Sequence, residues 1–308
     1  VMPALHDGKP SEDKTARHGD IIVMNGGRIG KDGIHGATFS SVALDENSPV
    51  SAVQIGDAIT QKRMFDFLWE AKKENLYTCI TDNGAGGLSS SVGEMAESSG
   101  GCRLHLDRAP LKYEGLQPWE ILISEAQERM TVSVAPDKIE RFLELSEEMQ
   151  VESTVLGEFT DSGFFECFYH DELVASLEMA FMHNGLPAMN LTAEWTPPLQ
   201  EIIQHPEPQD YAKILHTLLS RPNVCSKESV IRQYDHEVQG GSVIKPLVGV
   251  ENDGPADAGV IRPVLNSMEG IAIANGICPK YSNLDTYQMV ACAIDEAIRN
   301  VVAAGGNP

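Results

Sequence analysis

Residues 21–41 read IIVMNGGRIGKDGIHGATFSS. An apolar, strand-like run (Ile21, Ile22, Val23, Met24) empties into a loop that packs five glycines and a histidine into seventeen residues, 25–41. Such a loop offers backbone N–H groups without side-chain obstruction, which suits either a phosphate or the close approach of another chain segment.

Working outward, 59–74 carries Ile59, Met64, Phe65, Leu68 and Trp69 at helical spacing, with Lys62, Arg63, Lys72 and Lys73 on the other side. That pattern predicts an amphipathic helix. A short strand at 77–80 runs into TDNGAGGLSSS (81–91), and a helix is expected over 88–97. Residues 130–134 alternate as a strand. Ile139, Phe142, Leu143 and Met149 place a helix within 136–149, and 153–178 reads as strands joined at His170-Asp171. Strands alternating with helices and closing in a hairpin predict an α+β protein with α/β-like layers, its helices on one or both sheet faces.

The proline-rich TPPLQEIIQHPEPQD (196–210) marks a boundary. Two units are expected, 1–196 and 211–308, with 197–210 as linker. In the second, 285–303 forms an apolar helical stripe through Val290, Ala293, Ile294, Ala297, Ile298 and Val301, with Asp285 placed to cap it.

Composition narrows the partners. The 308 residues are 42% hydrophobic and 22% charged, with a formal net charge of -22. A field of that sign repels nucleic acid and anionic membranes, although Mg²⁺ and backbone dipoles can still bring a phosphorylated metabolite to an acidic chain. Six scattered cysteines (Cys79, Cys102, Cys167, Cys225, Cys278, Cys292) form no zinc-type spacing and read as reduced, mostly buried thiols. With no apolar run of membrane length and no leader, a cytoplasmic protein is expected. Val1 at the start and GGNP at the end suggest a piece of something longer.

Several residues in these loops could carry chemistry. Asp82, between a strand and a small-residue loop, could reach a cation, or it could close an Asx turn while Gly84, Gly86 and Gly87 supply positive φ. His35 could act as a general base or phosphate donor, or as a structural hydrogen-bonder, and Lys31 is a second phosphate-loop candidate. Asp20 and Asp32 read as turn residues. Glu125 and Gln127 lie two apart; on a strand they would face one side and could hold a polar ligand, or they could form a solvated face before Arg129.

The strings GGRIGKDGIHGATFSS, VQIGD, DNGAGGLSSSVGEMA, PWEILISEAQERM and LGEFTDSG resemble phosphoribosylformylglycinamidine synthase, in that family's order. CSKESVIRQYDHEVQGGS, GPADAGVIRP and LDTYQMVACAIDEAIRNVVAAGGNP continue the resemblance over nearly the whole chain. It implies an aminoimidazole ribonucleotide synthetase C-terminal-type domain, a mixed sheet with helices, followed by the opening of an N-terminal-type domain of the same superfamily. The chain would then be an internal fragment of a protein with two tandem copies.

The implied activity is ATP-dependent C–N ligation in purine biosynthesis: the γ-phosphate activates the amide oxygen of formylglycinamide ribonucleotide, and glutamine-derived ammonia then displaces phosphate. Positioning and charge neutralisation dominate such chemistry. The implied partners are formylglycinamide ribonucleotide, ATP with Mg²⁺, and a fused or separate glutaminase. By position, Gln54 matches a substrate-contacting glutamine and Asp82 a Mg²⁺ ligand. Glu125, Ala126 and Gln127 match a substrate-binding Glu-Ser-Gln segment.

Two departures matter. Ala126 replaces the serine, which leaves a backbone contact there. No Ser-His-Asn-His-Pro string occurs, so the catalytic histidine motif lies outside this chain and no catalytic residue is assigned; the corresponding ANGICPKY (274–281) has Cys278 and Pro279 instead. The Asp-Asn-Phe and Gly-Asn-x-Ser segments expected after GGNP are also missing. The isolated fragment is therefore expected to be inactive. The alternatives are a relative acting on another amide or a selenium substrate, and a non-catalytic scaffold whose glycine loops serve packing or homodimer formation.

Overall fold

A computed structural model of the chain describes residues 5–6, 9–10, 15–35, 56–196, 207–234, 236–237 and 240–308. They divide into two compact units, Val1–Met189 and Asn190–Pro308. Residues 197–206 of the expected linker lie outside the described residues.

The first unit opens with a two-residue antiparallel ladder, β1 (Leu5–His6) with β2 (Lys9–Pro10). Its main sheet has seven strands: β3 (Ile21–Gly26), β4 (Cys79–Asp82), β5 (Cys102–His105), β6 (Arg129–Val134), β7 (Ser153–Phe159), β8 (Phe164–Tyr169) and β9 (Glu172–Glu178). They lie in the order β4-β6-β3-β7-β5-β8-β9. Every neighbouring pair is antiparallel except β5 with β8, so the sheet is mixed. The helices are α1 (Ala58–Lys73), α2 (Gly87–Ser99), α3 (Pro118–Ile123), α4 (Ile139–Glu148) and α5 (Met179–Asn184).

Strand β3 explains its own composition. Side chains alternate across a strand, and Ile22 and Met24 pack with Leu88, Val92 and Met95 of α2 on one face. Val23 packs on the other with Met64, Phe67 and Leu68 of α1 and Phe142 and Leu145 of α4. A central strand covered on both faces is apolar without interruption, which is why the run at 21–24 does not alternate. Phe67 and Phe142, both fully buried, meet edge-to-face with centroids 5.0 Å apart.

Helix α1 forms where expected, with Asp57 capping it by accepting from Ile59 N at 3.2 Å. Its core face differs from the predicted stripe. Met64, Phe67, Leu68 and Ala71 are buried, at i, i+3, i+4 and i+7, whereas Ile59, Phe65 and Trp69 are exposed. Apolar content alone gave too broad a stripe. The strand expected at 77–80 lies two residues later, at Cys79–Asp82, where it pairs with Met130–Ser133 of β6.

In the second unit, α6 (Tyr211–Leu219) and α7 (Glu228–Ile231) precede a three-stranded antiparallel sheet. That sheet has the order β10 (Ser242–Ile244), β13 (Gly259–Ile261), β14 (Ile271–Ile273). A ladder joins β11 (Leu247–Val248) to β12 (Gly254–Pro255), and α8 (Thr286–Ala303) follows. Asp285 caps α8 as predicted, accepting from Gln288 N at 3.0 Å. Among the described residues none of α8 is fully buried, and Val290, Ile294 and Ile298 of its apolar stripe are exposed while Ala293, Ala297 and Val301 are half-buried. The cysteines divide the same way: Cys79, Cys102 and Cys167 are buried in the first unit, while Cys225, Cys278 and Cys292 of the second are not. No described helix is long and apolar enough to cross a membrane.

Candidate functional site

The segment 124–128 joins α3 to β6, and the candidate site is built around it. Gln117 starts α3 in a capping box, its backbone N donating to Glu120 Oε2 at 2.8 Å. The helix stops after Ile123. Residues 125–127 then run as a loop rather than the strand that would have aligned Glu125 with Gln127. Glu128 adopts a left-handed φ of 56°, and the loop packs against two sets of glycines.

On one side, a Cβ at Gly26 would stand 2.1 Å from Glu128 O, and one at Gly27 3.0 Å from Gln127 O. On the other, a Cβ at Gly87 would stand 2.2 Å from Ser124 O. These glycines are required by the close approach of another backbone segment. The amides of the first glycine loop are used the same way. Gly26 N donates to Glu152 O, Gly27 N to Glu128 O and Ile29 N to Pro110 O, each at 2.9 Å. Of the two uses open to that loop, contact with another chain segment is the one seen at these residues.

Arg129 holds the same loop from beneath. It is buried, and its Nε donates to Ala126 O at 2.8 Å while its terminal nitrogens contact Ser124 O and Met24 Sδ. Burial lowers its pKa to about 10, with the charge of Asp32 acting in the opposite direction. The loop is further tied by Glu125 N donating to Asp32 O at 2.8 Å and by Gly86 N donating to Glu125 Oε1 at 3.1 Å. Glu125 therefore sets its carboxylate at the start of α2, where the helix dipole favours negative charge.

Asp82 ends β4 with an exposed carboxylate. Its Oδ1 accepts from Gly84 N at 2.9 Å, closing an Asx turn. The turn and a cation-facing role are compatible, because the carboxylate keeps lone pairs that the turn does not use. Asn83 next to it is buried, with Oδ1 accepting from Ser91 Oγ at 2.7 Å and Thr131 Oγ1 at 3.0 Å. Its Nδ2 is buried without a hydrogen-bond partner among the described residues. An orphan donor of this kind is commonly satisfied by a water or a ligand.

Asp82, Asn83, Ala126, Gln127, Glu128 and Arg129 share one hollow of about 190 Å³, with Gln61 and Met64 of α1. A neighbouring hollow of about 330 Å³ is lined by Gly26, Arg28, Asp57, Arg63, Gln127 and Glu128 among others. Gln127 and Glu128 border both.

The structure thus brings Asp82 together with Ala126 and Gln127. Gln54 lies outside the described residues. Lys31 is paired with Glu120, Nζ to Oε1 at 2.9 Å, and its backbone N donates to Tyr113 Oη at 2.8 Å; it lines neither hollow. His35 is exposed at the end of the described stretch 15–35.

Asp20 is more than a turn residue: it is buried and accepts from Ser133 Oγ at 2.9 Å and Arg17 N at 3.0 Å. Asp32 pairs with Lys112 at 2.9 Å. Arg129, Asn83 and Glu128 were not singled out from sequence. A lone basic residue heading the buried strand RMTVSV was the one available signal for Arg129.

A hard divalent cation fits the donor set in part. Asp82 and Glu128, with carboxylates, and Gln61 and Gln127, with neutral amide oxygens, are residue types able to ligate it and line one hollow. Among the described residues no three-ligand cluster of His, Cys, Asp or Glu exists. Mg²⁺ commonly takes one or two carboxylates and completes its shell with water and phosphate oxygens.

Residues 17–170 match the family described as AIR synthase related protein, C-terminal domain, and the chain belongs to that family. The more particular resemblance is borne out as well. A protein of Ignicoccus hospitalis named phosphoribosylformylglycinamidine synthase subunit PurL is 37% identical over 305 residues, covering 96% of this chain and 41% of its own length. The Thermoplasma acidophilum protein of the same name is 32% identical, covering 96% of this chain and 39% of its own length.

Among solved structures, T. maritima PurL complexed with FGAR has a TM-score of 0.71 at 29% identity, covering 97% of this chain and 46% of that one. T. maritima PurL complexed with ATP has a TM-score of 0.66 at 26% identity, covering 95% and 43%. PurLQS from Thermotoga maritima has a TM-score of 0.67 at 27% identity, covering 94% and 43%. The chain spans about two fifths of the length of the curated relatives it matches.

Proposed function

We propose that this chain contributes the substrate- and cation-binding part of a phosphoribosylformylglycinamidine synthase. The whole reaction is ATP-dependent conversion of formylglycinamide ribonucleotide and glutamine-derived ammonia to formylglycinamidine ribonucleotide, ADP and phosphate. The observation that carries this reading is the single hollow in which Asp82 meets Ala126, Gln127 and Glu128. Of these, Asp82, Ala126 and Gln127 are positions at which the motifs align with a metal-binding aspartate and a substrate-binding segment.

In this reading Gln127 and the backbone at Ala126 orient the ligand, and the buried amide of Asn83 offers it an unused donor. Asp82, with Glu128 beside it, would hold Mg²⁺, whose charge neutralises phosphoryl oxygens. Glu125 positions the start of α2 as well as bordering the ligand segment. Gln54 would complete the contacts. Lys31 supports the loop through Glu120, so a direct phosphate contact from Lys31 or His35 has weaker support.

The neighbour solved with FGAR and the one solved with ATP support these as ligands, and the PurLQS assembly supports a glutaminase as partner. A cytoplasmic location agrees with such metabolism. The two units would correspond to a C-terminal-type domain of the first copy and the opening of an N-terminal-type domain of the second, joined by the 197–210 linker.

A scaffold reading has one observation in its favour, since packing alone accounts for Gly26, Gly27 and Gly87. Assay of the 308 residues for ATP- and ammonia-dependent product, together with binding of formylglycinamide ribonucleotide and Mg²⁺, separates the readings. The synthase reading expects binding without turnover. A folded chain with no binding supports the scaffold.

A further inference from the structure

A buried arginine usually answers a buried carboxylate, because an uncompensated internal charge is costly. Arg129 is 3% exposed, yet its hydrogen bonds go to two carbonyls and a thioether, and Asp32 acts on it through space. The two carbonyls belong to Ser124 and Ala126, which flank Glu125. A planar guanidinium can bridge both, whereas an ammonium is a compact point charge without that fixed fork.

Other hydrogen bonds of the loop meet the same stretch of backbone. Glu125 N reaches Asp32 O, Glu125 Oε1 receives Gly86 N, and Glu128 O receives Gly27 N. Arg129 also lines the hollow it supports.

We infer that Arg129 is the positioning residue of this site: its guanidinium clamps the peptide on either side of Glu125 and so presents the 125–127 segment to the ligand. The ligand side of this inference rests on the synthase reading; the clamp itself does not. Arg129→Met removes the fork while keeping a long apolar stem, and Arg129→Lys keeps the charge without the fork.

Hydrogen exchange on the ligand-free 308-residue chain tests the clamp. In Arg129→Met the amides of Gly27, Gly86 and Glu125 should exchange at least about tenfold faster, as expected when buried carbonyls lose their partner. In Arg129→Lys they should fall between, while α4 stays as in the unaltered chain. Unchanged exchange at those three amides in either folded variant overturns the inference.

Calorimetry with formylglycinamide ribonucleotide and Mg²⁺ then reads the consequence. Affinity should drop about tenfold or more in Arg129→Met and recover in part in Arg129→Lys, at concentrations where both are folded by circular dichroism. Equal affinity in all three chains overturns the positioning role. No binding by the unaltered chain overturns the synthase reading instead, and the exchange result alone then decides the clamp. Should Arg129→Met fail to fold, Arg129→Lys carries both measurements, with faster exchange and weaker binding expected.

Discussion

Asp82 closes its turn with one oxygen and lines the hollow, so Asp82→Asn separates two functions. The amide oxygen can still accept from Gly84 N, and the fold should be retained. As a cation ligand it offers one neutral oxygen, so Mg²⁺ affinity should fall roughly tenfold or more, read by calorimetry beside a melting curve. Equal Mg²⁺ affinity in both chains would remove Asp82 from the metal site.

Glu120 makes a pH prediction. The hydrogen bond from Gln117 N, then Lys31, holds its carboxyl below the ordinary carboxylate value. With the folded pKa below the unfolded one, about 4.3 for glutamate, its contribution to stability is present above that value and is lost as pH falls through the lowered folded value. Glu120→Gln should therefore have a shallower decline in urea midpoint below about pH 4.3 than the unaltered chain. Parallel acid limbs would show that Glu120 contributes nothing to it.

At the scale of elements, two loops and one helix pair set the geometry. Gly26 combines a φ of 102° with a backbone carbonyl where its Cβ would be. Gly26→Ala should cost roughly 3 kcal/mol or more and displace the 124–128 loop, seen as a lowered denaturation midpoint together with faster exchange at Glu125. The covering of β3 by α1 and α4 gives an independent check. Phe142→Ala removes one partner of a fully buried aromatic pair and should cost about 3–5 kcal/mol in urea unfolding. It should leave exchange at Gly27, Gly86 and Glu125 unaffected if the variant remains folded. A loss under 1 kcal/mol would mean that this face relaxes to fill the cavity.

Much of this element layer was legible in advance. The 21–24 run, the hairpin at His170-Asp171 and the Asp285 cap follow from local chemistry. The core face of α1 and the end of β4 were less so, because both are fixed by partners distant in sequence: Phe142 for the helix and β6 for the strand.

Across the molecule, the chain combines a two-faced sheet domain with a second unit whose long helix α8 buries none of its described residues. The motifs made the family readable, yet the site was readable only in pieces. Asp82 and 125–127 stood out as strings of residues. What joins them did not, because Gly26 acts through contact with a segment about one hundred residues away and Asn83 through partners on α2 and β6, while Arg129 acts on carbonyls of a loop whose path those contacts set.

The synthase reading concentrates on one hollow, and one titration addresses it: the 308-residue chain, shown folded by circular dichroism, with formylglycinamide ribonucleotide at saturating Mg²⁺. Saturable binding that weakens in Asp82→Asn is the predicted result. A folded chain that takes up no ligand, or binds it equally well without the Asp82 carboxylate, contradicts the account.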